Sequence, residues 1–93
     1  MNNKEKSRLE SSKKTLDSIY KYLNVGDMRS ATKTAGALPS FFSSFQDILE
    51  DQKVKLVDTA KILIDAISQK NTESAKNLVF FLKNEINQIL KSA

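Results

Sequence analysis

From Leu38 to Gln69 apolar side chains return at helical intervals. Phe41, Phe45, Ile48, Leu49, Leu56, Ala60, Leu63 and Ile67 fall mostly three, four or seven residues apart, which places them on one face of an α-helix, whereas a half-buried strand needs strict alternation. One long helix is therefore expected behind Pro39, whose missing N–H suits a first helical turn. The stripe is wide. Phe42, Val57 and Ile64 flank it on one side and Ile62 on the other, so it needs cover from more than one direction. Between Glu50 and Lys55 the pattern turns polar and Gln52 falls within the stripe. With no glycine or proline to interrupt it there, a continuous helix from 39 to 69 is expected, the alternative being two helices divided near Gln52.

The same period marks the rest of the chain. Leu9, Leu16, Ile19, Tyr20 and Leu23 give a first helix from about Asn3 to Asn24, with Ser12 filling the gap in its stripe. Before Leu9 the only apolar residue is Met1, so residues 1–6 are expected to fray. Asn24-Val25-Gly26-Asp27 punctuates the chain: Gly26 can take the left-handed conformation that ends a helix, and Asp27 can cap the next one. The second helix, Met28 to about Ala37, is short and carries the small residues Ala31, Ala35 and Gly36. The last begins at a cap on Asn71 or Thr72 and runs to about Lys91, with Ala75, Leu78, Val79, Leu82, Ile86, Ile89 and Leu90 on its face and Phe80 and Phe81 pointing away. Laying Asp27 over Asn71 superimposes Ile19, Tyr20, Leu23, Ala31, Ala35 and Leu38 on Leu63, Ile64, Ile67, Ala75, Val79 and Leu82. Duplication would produce this echo, but two ordinary antiparallel hairpins suffice.

The expected fold is all-α: a small antiparallel bundle of three long helices and one short, or two packed hairpins, in a single domain over residues 1–93. Composition agrees. The chain is 40% hydrophobic and 28% charged, too apolar for disorder, and two Gly and one Pro are too few turn residues for an all-β fold of this length. It contains neither Cys nor His. Disulfides, thiol chemistry, an imidazole base and the usual zinc sites all depend on those side chains, so no enzyme and no cofactor is expected. The N-terminal stretch has no apolar segment of the kind found in secretory signals. The longest apolar run, Leu78 to Leu82, is far short of the ~20 residues that span a bilayer. No transmembrane segment and a cytoplasmic location are the expectation.

The net charge of +4 resides entirely in residues 1–33. Lys6, Arg8, Lys13, Lys14, Lys21, Arg29 and Lys33 form a candidate anion-binding set for nucleic acid or an anionic membrane surface. Glu10 and Asp17 stand among them at four-residue spacing and satisfy part of that charge, and no stacking-aromatic or helix-turn-helix pattern accompanies it. Asp47, Glu50 and Asp51 read as a solvated acidic face, because one helix face offers a hard cation too few oxygens. Leu78 to Leu82 is apolar around the whole helix. Phe80 and Phe81 must therefore meet the short second helix, the favoured arrangement, or remain open to a partner. The Phe41, Phe42 and Phe45 cluster poses the same choice, with core favoured.

Leu16 to Pro39, with Tyr22, Gly26, Ala31 and Pro39, resembles a single tetratricopeptide-type hairpin over about a quarter of the chain. It lacks the large aromatic early in the first helix, and the second hairpin has no matching proline. The Gly26-Asp27-Met28 run with Ala31, Ala35 and Pro39 is similar to a piece of the smallest subunit of the actin-branching complex. The second hairpin faintly resembles the helical C-terminal module of the COPII outer coat protein. Such resemblances imply assembly surfaces rather than catalysts, and they assign no family. The reading that follows is a non-enzymatic interaction module, an adaptor, subunit or small inhibitor or immunity-type protein, offering an apolar helical surface to a protein partner or to a second copy. Its candidate contacts are Phe42, Val57, Phe80 and Phe81. The alternative is a basic binder of nucleic acid or anionic membrane acting through the first helix.

Overall fold

The computed structural model describes residues 1–92. Five helices follow in order: α1 (Asn3–Asn24), α2 (Met28–Ala35), α3 (Leu38–Ser43), α4 (Glu50–Ser68) and α5 (Thr72–Lys91). They form the all-α antiparallel bundle that the periodicity called for. The helix α5 packs against both α1 and α4, α2 packs against α1 and α4, and α3 packs against α4. The short helices α2 and α3 thus fill the fourth corner of the bundle, diagonally across from α5. Leu9, Leu16 and Ile19 of α1, Leu56 and Leu63 of α4, and Val79, Leu82 and Ile86 of α5 are fully buried between them. Ser12, in the gap of the α1 stripe, is also buried; its hydroxyl donates to the Leu9 carbonyl at 2.6 Å.

The continuous helix expected from 39 to 69 does not form. At 1.5 Å per residue it would be about 45 Å long, and the whole molecule is only 37 Å in its longest direction. The chain instead reverses at residues 44–49. Ser43 and Ser44 turn their hydroxyls back onto the carbonyls of Ser40 and Phe41, at 3.0 and 2.6 Å, so side chains compete with the helical ladder where it stops. Past the stop, Phe45 and Ile48 drop into the core while Leu49 is left on the surface. Gln52 reaches back to the Leu49 N–H at 3.4 Å, and the Lys53 ammonium donates to the Phe45 carbonyl at 3.0 Å. Its place in the apolar stripe is thereby explained: Gln52 belongs to the start of α4, where Glu50 and Asp51 also complement the positive end of the helix dipole.

The N-terminus is anchored rather than frayed. Asn2 caps α1 by accepting from the Glu5 N–H at 2.8 Å, and its own N–H donates to Asp47 Oδ2 at 3.0 Å. Glu5 is 8% exposed. Its carboxylate accepts from the Gln46 N–H at 3.0 and 3.2 Å and from the Asp47 N–H at 3.0 Å. A charged residue of the first turn thus satisfies the amides that the broken helix leaves free. Met1 packs against the core.

The sequence echo reappears as matching hairpin turns. Gly26 and Lys70 both have positive φ, 75° and 60°. The Asp27 N–H donates to Tyr22 and the Asn71 N–H to Ala66, each at 2.9 Å, and the capping side chains accept from Ser30 at 3.1 Å and from Ser74 at 3.2 Å. The Asp27 carboxyl is held below the usual carboxylate range by these hydrogen bonds, with Ser30's side chain the larger contributor and its backbone N–H next. Both turns therefore use the same helix-end and cap geometry, but only the first has glycine at the left-handed position. Lys70→Gly should stabilise the protein by about 0.5–1 kcal/mol by removing the Cβ penalty there. Urea unfolding followed by circular dichroism would register the shift, and a midpoint unchanged or lowered would contradict it.

Candidate interaction surface

The four apolar residues proposed as partner contacts do not form one surface. Phe42 is 0% exposed. The break at residue 44 swings α3 inward, so that Phe42 and Phe45 enter the core and Phe41 meets both rings edge-on, with centroids 5.6 and 5.2 Å away. Phe42 is therefore a core residue, the reading favoured for the Phe41, Phe42 and Phe45 cluster, and its place among the candidate contacts is corrected. Val57 is half-buried and borders a depression shared with Ser43, Val54 and Asp58, on the α3 side of α4. Lys55, two residues earlier and so on the opposite flank of α4, lies against Phe81.

Phe80 and Phe81 stand on α5, away from the core line of Ala75, Val79, Leu82, Ile86 and Ile89. They are 51% and 40% exposed. Neither meets α2, which lies across the bundle diagonal, and the favoured packing against that helix is corrected accordingly. Phe80 tilts against Tyr20 of α1, with ring centroids 5.2 Å apart, and the Lys76 ammonium sits 5.6 Å from the Tyr20 ring. On the other flank the Lys55 ammonium lies 5.4 Å from the Phe81 ring and 3.3 Å from Glu85. Each ring is thus tethered along one edge and open along the other. Farther along the α4–α5 groove, exposed Ile62 and half-buried Leu78 line a depression with Ala66 and Asn77.

The cations of the alternative reading are divided among several environments. Arg8 donates to Ser44 Oγ at 2.7 Å and stacks over Phe41 and Phe45, 5.0 and 4.7 Å from their centroids. It covers the aromatic cluster of the broken helix. Lys13 donates to Asn87 Oδ1 at 3.0 Å and lies 3.8 Å from Glu10. Asp17 pairs with Lys83 of α5. Lys6, Lys14 and Lys21 are exposed on α1, while Arg29 and Lys33 of α2 border a separate groove with Lys70, floored by Met28 and Ile67. Of the acidic residues, Asp47 holds the Asn2 N–H and Glu50 lies 3.4 Å from Lys53.

The role of Glu5 was not legible in the sequence, where it is one charge among many in the basic third of the chain; the serine pair at 43–44 is the only local sign that the chain beyond needs an outside acceptor. Among the described residues no helix is long and apolar enough to cross a membrane. Comparison with protein-family models, curated proteins and solved structures finds no match, so the tetratricopeptide-like spacing of residues 16–39 stands as a likeness of pattern alone.

Proposed function

We propose that this chain is a cytoplasmic, non-enzymatic interaction module that binds a protein partner through the outer face of α5. The observation that carries the reading is the pair of adjacent phenylalanines, about half exposed, on a helix whose inner face is already fully packed. Single exposed apolar residues are ordinary on protein surfaces. Two neighbouring aromatic rings, each backed by a cation or by another ring, form a larger and pre-positioned patch of the type that anchors interfaces.

The double variant Phe80→Ser/Phe81→Ser tests the patch. Its fold should survive, with a stability loss of about 1 kcal/mol from the Tyr20 and Lys55 contacts, checked by thermal melting. Capture of partners from the source cell by the tagged chain should fall at least tenfold. Undiminished capture by a folded double variant would overturn the assignment of this face.

The basic alternative is less well supported by the geometry, because Arg8 and Lys13 are engaged within the fold and the remaining cations lie on two helices. Phosphate binding draws on cations free to replace counterions.

A further inference from the structure

We infer that the partner for the outer face of α5 is a second copy of the same chain, paired antiparallel about a two-fold axis. The inference rests on the interaction-module reading above and names its partner. Between Glu73 at one end and Lys91 at the other, the exposed residues of α5 are Asn77, Phe80, Phe81, Asn84 and Gln88. None of these five is charged. Asn77, Phe81, Asn84 and Gln88 follow one another at four, three and four residues, with Phe80 beside Phe81, which is the seam spacing by which helices pair along their length.

The order of the stripe is what selects a copy of itself. Read in either direction from the point between Phe80 and Phe81, it gives a phenylalanine and then, three residues on, an asparagine. In a two-fold pair the same surface serves both molecules. An axis at that point sets Asn77 of one chain opposite Asn84 of the other, where each amide can both donate and accept. Phe80 then meets Phe80 on one flank of the seam and Phe81 meets Phe81 on the other. Glu73 falls opposite Gln88, with the oppositely charged Lys91 of the second copy one turn away on the same flank. Antiparallel pairing brings the unlike end charges together, whereas parallel pairing would stack Glu73 on Glu73 and Lys91 on Lys91. Amides at the seam fix register at some cost in strength.

The contact is small. The helix is 20 residues long, so a pairing along it lies below the standard interface size, and the dimer is expected to be weak and concentration-dependent.

Sedimentation equilibrium of the full chain from roughly 10 μM to about 1 mM, the range in which interfaces of this size associate, reads the prediction. The mass should rise from one chain towards two. The variants Asn77→Glu/Asn84→Glu and Asn77→Lys/Asn84→Lys change only exposed positions, so circular dichroism should be unaltered. Each alone should associate about tenfold or more weakly than the wild type, because the antiparallel register sets like charges face to face. Mixed in equal amounts, the two should recover the dimer. A wild type that remains monomeric to about 1 mM, like-charge variants that dimerise as well as the wild type, or a mixture that does not recover would each overturn the inference. A monomeric chain that still captures another protein through Phe80 and Phe81 overturns the self-pairing alone. A chain that neither self-associates nor captures a partner overturns the interaction reading as well.

Discussion

Phe42→Ala is expected to lower the unfolding free energy by about 3–5 kcal/mol, the usual cost of removing a fully buried aromatic ring. The side chain is 0% exposed and packs edge-on against Phe41 within the α3 corner. A helical bundle of this size has little stability beyond that amount to lose, so the variant should be largely unfolded at 37 °C by circular dichroism. Phe81→Ser offers the internal comparison. Its ring is 40% exposed and held by one cation, so its replacement should cost less than about 1 kcal/mol. Similar melting temperatures for the two variants would contradict the inward turn of α3. The pair of measurements also separates residues that support the fold from those available for contact, which sequence position alone had grouped together.

That grouping shows how far the residues could be read without the structure. The bounds of α1, the caps at Asp27 and Asn71 and the inward face of α5 were legible because each rests on interactions within a few residues: a 3.6-residue period, or a side chain accepting from an N–H three positions on. The echo between the Asp27 and Asn71 turns was legible for the same reason, whereas a left-handed residue was expected at Gly26 and not at Lys70. What could not be read was the place and cause of the break at 44–49: the polar stretch near Gln52 offered two helices only as an alternative, and a few residues too late. A helix with no glycine or proline stops there because a tertiary contact supplies what the helix would have supplied, and the residue that does so lies about forty positions earlier. Once the break was missed, Phe42 fell on the flank of an imaginary straight helix and appeared available to a partner. Arg8 was misread in the same way. On α1 alone it is a surface cation; beside the broken helix it stacks on Phe41 and Phe45 and donates to Ser44. The exposure of Phe80 and Phe81 is a different case, since the helical period already turned them away from the core and the structure had only to show that α2 does not reach them.

Glu5→Ala should have the largest effect of any change to a charged residue, about 1.5–3 kcal/mol, through the loss of charge-assisted hydrogen bonds to the Gln46 and Asp47 amides. Those two residues are exposed, so water can take over part of the role, and the lower half of the range is the more natural value. Glu5→Gln keeps one good acceptor oxygen in place of two and should lose about half as much. Stability alone would not identify the cause, because any damage to α1 lowers it. Amide hydrogen exchange does: protection at Gln46 and Asp47 should fall tenfold or more in the alanine variant, whereas amides in the middle of α5 should change only as much as global stability does. A drop spread evenly over the chain would mean that Glu5 matters to α1 but not to the corner. Helix content discriminates further. Were the corner merely a helix interrupted by Glu5, freeing residues 44–49 would let it rewind and the helical signal would rise. A helix of about 45 Å cannot be accommodated in a molecule only 37 Å long, and rewinding would pull Phe45 and Ile48 out of their buried positions. The alanine variant should therefore show equal or lower helicity, with its corner loosened and its bundle topology unchanged.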